Sequence, residues 1–151
     1  MEEIYDKLAE FIEAGDTVAV ATIVEIRGSV PREVGAKMVI HPFGQNAGTV
    51  GGGCGEADVM KKAIDVMQTG VPAMVRVDLT EDISMMTLGV CGGIMDVFVE
   101  QVGEALIGGT LSQSAKVAAL RRSMRDRDPV ALVTVTKGPQ AGREAVLWRD
   151  R

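Results

Sequence analysis

Thr17-Val18-Ala19-Val20-Ala21-Thr22-Ile23-Val24-Glu25-Ile26 is a run of β-branched and small apolar residues interrupted by a single charge. It reads as a buried strand, because branched side chains pack well on a pleated surface and are stiff in a helix. Lys37 to Ile40 is its expected partner, reached through the polar, Gly- and Pro-containing loop Arg27 to Gly35. Upstream, Ile4, Leu8, Phe11 and Ile12 fall at the i, i+4, i+7, i+8 spacing of an amphipathic helix over Glu2 to Ala14, which Gly15 ends.

Downstream, His41-Pro42-Phe43-Gly44 is a turn and Gly48 to Gly53 a short extended run. Val59, Met60, Ala63, Ile64 and Met67 then predict a helix over Glu56 to Gln68, stopped by Gly70 and Pro72. Strands are expected at Ala73 to Asp78 and Ile94 to Val102, with Asp82 to Leu88 open between helix and loop. Gly108-Gly109 marks a connection before a helix from Ser112 to Arg125, and Val130 to Thr136 and Glu144 to Trp148 close the chain as two strands.

This last block resembles the first. Leu8 and Ile12 followed by Val18 to Ile23 match Leu120 and Met124 followed by Val130 to Val135, and Met38-Val39-Ile40 matches Ala145-Val146-Leu147. The expected architecture is therefore one α+β domain over 1–151, a mixed sheet flanked by helices, with a helix-strand-loop-strand unit occurring at 2–40 and again at 112–148. The first copy carries the longer loop, with Arg27, Ser29 and Arg32 as donors for an anion; the second has only Lys137 to Arg143.

The chain is 46% hydrophobic, enough for a core, but only 3% aromatic, so aliphatic residues and nine Met must fill it. A net charge of -5 argues against a nucleic-acid binder, and the Arg121, Arg122, Arg125, Arg127 run, broken by Asp126 and Asp128, reads as a solvated helix face. No apolar stretch approaches the ~20 residues that cross a bilayer, and Met1-Glu2-Glu3 lacks the basic start of a signal peptide. A cytoplasmic protein is expected, in which the two cysteines are thiols.

Gly51-Gly52-Gly53-Cys54-Gly55-Glu56 lies where an extended run enters a helix. Glycines there admit positive φ and close approach of a ligand to backbone N–H groups, which converge on anions at a helix start. The same position lowers a thiol pKa, so Cys54 is the foremost candidate for a reactive thiol. Glu56 is a helix-start carboxylate or a proton acceptor for that thiol. Cys91-Gly92-Gly93 frames the second cysteine, and two such thiols converging would bind a soft metal, share a transferred sulfur or cycle to a disulfide. Two Cys and a lone His41, read as a turn residue, are too few for a structural zinc site. There is no P-loop, no G-x-S-x-G elbow and no complete G-x-G-x-x-G.

Three ordered segments resemble the XdhC/CoxI family of xanthine dehydrogenase accessory proteins: Ala21 to Val24 through Arg27-Gly28-Ser29-Val30-Pro31-Arg32 to Gly35-Ala36-Lys37-Met38; Gly51 to Glu56; and Cys91-Gly92-Gly93 with Val97 to Glu100. The resemblance implies a chaperone, rather than a turnover enzyme, that binds the molybdenum cofactor transiently, protects it during sulfuration and inserts it into a molybdenum hydroxylase apoenzyme. Gly51, Gly52 and Gly53 would allow close backbone approach, Arg27, Ser29, Arg32 and Lys37 would supply anion donors, and Cys54, with Cys91, would supply soft sulfur near molybdenum; Gly28, Glu56, Gly92 and Gly93 complete the implied cofactor-binding set. It also implies a homodimer, a cysteine desulfurase as sulfur source, and a C-terminal Rossmann-like domain; this chain stops at Arg151, so that domain is expected on a separate chain or lost, and NAD is not carried over. The family's usual Val after the cysteine is Gly55 here, which predicts a more flexible cysteine loop. A thiol redox or sulfur-transfer enzyme using Cys54 and Cys91, and a non-catalytic interaction module, are the rival readings.

Overall fold

A computed structural model describes residues 1–51, 53–80, 92–103 and 113–148, with Cys54 described by its backbone. Helix α1 (Glu2–Glu13) leads into β1 (Val18–Arg27), β2 (Lys37–Ile40) and the short β3 (Ala47–Gly48). Helix α2 (Cys54–Thr69), β4 (Ala73–Asp78) and β5 (Ile94–Val102) follow, then α3 (Gln113–Asp126), β6 (Val130–Thr134) and β7 (Glu144–Trp148). The elements match the periodicities closely. Helix α2 starts two residues earlier than expected, at Cys54, and β6 ends two residues earlier, at Thr134. The ambiguous Asp82 to Leu88 segment and Gly108-Gly109 lie outside the described residues.

Five strands form one sheet in the order β3-β2-β1-β5-β4, and β6 and β7 pair separately. The α+β class holds, but every pairing is antiparallel where a mixed sheet was expected. The reason is the path of the chain through α2, which links β3 to β4 at opposite edges of the sheet, so that these two never become neighbours.

Strand alternation divides the interior in two. Ala19, Ala21, Ile23, Met38, Ile40, Val97 and Val99 face α2, whose Val59, Ala63 and Val66 complete that core. Val18, Val20, Val39 and Val102 face the other way, against Ile4, Leu8 and Ile12 of α1 and Val117 and Leu120 of α3. At Val24 the register of β1 slips by one residue against β5, so that Ile23 lies opposite Val97 but Glu25 opposite Asp96. This bulge exchanges the two faces of β1 beyond it.

In the second core a polar cluster is buried among apolar neighbours. Tyr5, Lys37, Glu100, Lys116 and Glu144 line a cavity with a water-accessible volume of about 20 Å³. Lys116 pairs with Glu144, and the Lys37 ammonium donates to the Thr22 hydroxyl at 2.8 Å. Burial pushes the Glu100 carboxyl up to about 7; Glu144 adds repulsion, while Lys116 and Lys37 oppose the shift. Burial lowers the Lys37 ammonium and raises the Tyr5 hydroxyl to about 12.

The native state thus keeps a proton on Glu100 that the unfolded chain releases near 4.5. Its contribution to stability is complete below that value and is lost as pH rises to about 7. Urea denaturation of Glu100→Gln should therefore show the variant gaining stability relative to the wild type between about pH 5 and about pH 7.5. A pH-independent difference would contradict the buried, proton-holding carboxyl.

Candidate functional site

The three glycine-framed segments meet at one end of the large sheet, beyond the last residues of β1 and the first of β5. A Cβ at Gly28 would stand 2.8 Å from the Gly92 carbonyl oxygen, and one at Gly93 would stand 2.6 Å from that of Ser29 and 2.8 Å from that of Arg27. Only a residue without a side chain lets these backbones touch. Gly93 is fixed further by its carbonyl, which accepts from the Leu79 N–H at 2.9 Å. From the same loop Pro31 reaches over Gly51, whose added Cβ would meet the proline Cγ at 2.7 Å.

Gly51 leads directly into α2. Gly53 is the residue before the helix, with φ 64° and ψ -137°, a conformation reserved for glycine, and it supplies no side-chain cap. The helix therefore starts at Cys54 without a hydrogen bond from a capping side chain at Gly53. Gly55 is buried in the first turn, where a Cβ would meet Val77 Cγ1 of β4 at 2.7 Å. Its role is close helix–strand packing rather than the loop flexibility expected from the replacement of Val.

Glu56 turns back from the third helical position. Its carboxylate accepts from the Thr49 hydroxyl and from the Val50 N–H at 3.2 Å, and Thr49 in turn accepts from the Gly51 N–H at 3.0 Å. These bonds hold the chain that enters the glycines, which makes Glu56 a positioning residue for the loop. Thr49 and Pro31 were not singled out in the sequence; the hydroxyl seven residues before an acid at a helix start was the available signal for the first.

The predicted anion donors separate. Ser29 and Arg32 are exposed on the loop that covers Gly51, and the Arg32 guanidinium reaches the Pro31 carbonyl at 3.5 Å. Arg27 contributes its backbone to the Gly93 contact, but its side chain pairs with Glu25 at 2.6 Å and Asp96 at 3.5 Å, on the sheet face opposite α2. Lys37 adjoins Met38, which is packed toward α2, so alternation sends the lysine into the buried cluster with Glu100. Arg27 and Lys37 were expected beside Cys54; the bulge at Val24 and the pleat place their charged ends on the other face. Gly52 and Cys91 lie outside the described residues.

His41 belongs to the other end of β1. Its ring stacks on Phe11 with centroids 4.6 Å apart, Nδ1 accepts from the Phe43 N–H at 3.2 Å, and Nε2 faces the Asp16 carboxylate at 3.3 Å. Every ring position is engaged in the turn. Among the described residues no group of three His, Cys, Asp or Glu is placed to hold a metal ion, and no helix is long and apolar enough to cross a membrane.

The fold is similar to that of a xanthine dehydrogenase from Bacillus halodurans, which matches with a TM-score of 0.73 and 23% identity over 98% of this chain and 43% of that one. Residues 11–78 match the XdhC and CoxI family. Three curated proteins show the same relationship. The molybdenum cofactor insertion chaperone PaoD of Escherichia coli is 39% identical over 61 residues, 40% of this chain and 19% of PaoD. YqeB of the same organism is 31% identical over 66% of this chain and 18% of its own length, and a probable xanthine dehydrogenase subunit of Bacillus subtilis is 28% identical over 68% and 32%. The chain thus spans a third or less of the curated relatives it matches.

Because Gly93 touches backbone on two sides, Gly93→Ala should destabilise the domain by about 1–3 kcal/mol, the usual cost of overpacking a close contact. Thermal denaturation of the variant checks this, and an unchanged midpoint would mean that the loop yields freely.

Proposed function

We propose that this chain is an accessory protein of molybdenum hydroxylases that receives the molybdenum cofactor as cargo at the glycine-built end of the sheet and passes it to an apoenzyme. The observation that carries the reading is the meeting of Gly28 to Pro31 with Gly92-Gly93 and with Gly51, two residues before the cap of α2 at Gly53. Its family segment and the name borne by PaoD support the class of cargo.

The cargo's chemistry agrees with the donor set. A pterin dithiolene with a phosphate tail needs close backbone approach, an anion site and soft sulfur near the metal. The helix start at Gly53 and Cys54, with exposed Ser29 and Arg32 on the neighbouring loop, supplies N–H, hydroxyl and guanidinium donors for the phosphate. Cys54 supplies the sulfur from the first helical position, and Cys91, one residue before Gly92, is proposed as its counterpart. Glu56 and Thr49 hold the glycine loop open for the cargo, and Arg27 acts through its backbone. Protection during sulfuration, a second copy of the chain, a desulfurase and a separately encoded Rossmann-like chain belong to the same proposal.

Cys54→Ala should lower the molybdenum and pterin that co-purify with the full chain at least tenfold, with circular dichroism unchanged. Equal retention by the variant, measured by metal analysis and pterin fluorescence, would remove Cys54 from the role. A persulfide on Cys54 in a protein with no cofactor affinity would favour sulfur transfer instead.

A further inference from the structure

The block α3-β6-β7 repeats α1-β1-β2 down to its hydrogen bonds. Ala19 pairs with Ile40 and Thr22 with Lys37; at the corresponding positions Ala131 pairs with Leu147 and Thr134 with Glu144. Beyond the strands, the Ile23 N–H donates to the Ala36 carbonyl at 3.0 Å and the Val135 N–H to that of Arg143 at 2.8 Å. Gly35 and Gly142 donate back to Ile23 and Val135, both at 2.8 Å and both with positive φ. The inward faces also agree: Val18 and Val20, like Val130 and Leu132, pack into the core between the units.

The outward faces differ only in their cover. Ala19, Ala21, Met38 and Ile40 are buried beneath α2. Their counterparts Ala131, Val133, Ala145 and Leu147 are exposed, Val133 by 47% and Leu147 by 55%. A two-stranded ribbon that is apolar on both sides is marginal in water, and contiguous exposed apolar surface marks an interaction site. The large sheet shows on the same chain what fits such a face: α2, lying over β5, β4 and β1, brings Val59, Ala63 and Val66 into one core with Ala19, Ala21, Met38 and Ile40.

Charge specifies the occupant further. Glu144 is drawn into the buried pair with Lys116, which leaves Asp128, beside Arg127, as the exposed acid of residues 127–148. Exposed Lys137 and Arg143 stand at the loop end of the ribbon and exposed Arg127 before its first strand. A second copy of the chain is a poor occupant. The only exposed large apolar side chain within its described helices is Ile64, so none of them offers the row of apolar side chains that Val59, Ala63 and Val66 make on α2. We propose that the outer face of β6–β7 is a docking surface for an acidic amphipathic helix of a partner protein, packed by apolar side chains as α2 packs on the large sheet.

The chain itself supplies the probe, because α2 carries Glu56, Asp58 and Asp65 against Lys61 and Lys62. A fluorescent peptide of residues 54–69 with Cys54→Ser, titrated into the full chain, should bind saturably. Val133→Thr with Leu147→Gln, both at exposed positions, should weaken binding about tenfold, and replacing the three peptide acids by Lys should weaken it as well. Hydrogen exchange should show new protection in β6 and β7. Three results would overturn the proposal: no saturable binding, equal binding by the double variant, or protection changes confined to the chain's own α2. A dimer in sedimentation equilibrium that the double variant dissociates would assign the face to a second copy and overturn it too.

Discussion

At Gly93 backbone meets backbone, and the site end of the molecule is built outward from that contact. The carbonyl oxygens of Arg27 and Ser29 lie where any side chain would project. This holds the 27–35 loop down on the start of β5, and the held loop puts Pro31 over Gly51. From Gly51 the chain passes Gly53 into α2, which rests on β4 through the missing side chain of Gly55. Four glycines thus transmit one geometry across three segments far apart in sequence, at the entropic cost that glycine carries in the unfolded chain.

The sheet sorts what this geometry can use. Its α2 side is aliphatic nearly throughout, so the entrance to the helix sits on a dry, closely packed base. Its other side admits charge: Lys37, Glu100, Lys116 and Glu144 share an enclosed space, and Arg76 makes a two-pronged pair with Asp96, at 3.0 and 3.4 Å, near the bulge. Such a buried polar set fixes how the second unit seats on the first, since its members lose their partners if the units shift.

Most of the fold was legible because it rests on period. The stripe of Ile4, Leu8 and Ile12 and the branched runs of β1 and β6 each name their element. The antiparallel pairing was not legible, because it depends on which edges α2 connects. Within the site, the convergence of the three motifs could be anticipated from their glycines, but not what each glycine admits. Gly28, Gly51, Gly55 and Gly93 make room for other parts of the protein, whereas Gly53 faces open space. Lys37 was misplaced because its partners Thr22 and Glu100 are distant in sequence, although its alternation with buried Met38 already pointed away from α2. The burial of Glu100 left one trace, its place at the end of the apolar run Val97-Phe98-Val99.

The bulge at Val24 gives the length of β1 a meaning beyond its composition. Before it, odd-numbered residues look toward α2; after it, Glu25 and Arg27 look away and Ile26 takes their side. Val24 is the one residue of this strand that the ladder with β5 does not need. A descendant sequence that lost it would close the bulge and still set Glu25, Ile26 and Arg27 opposite Asp96, Met95 and Ile94, so the guanidinium would go on looking away from α2. A deletion, usually confined to surface loops, could thus be absorbed inside this strand without re-aiming the end of the sheet.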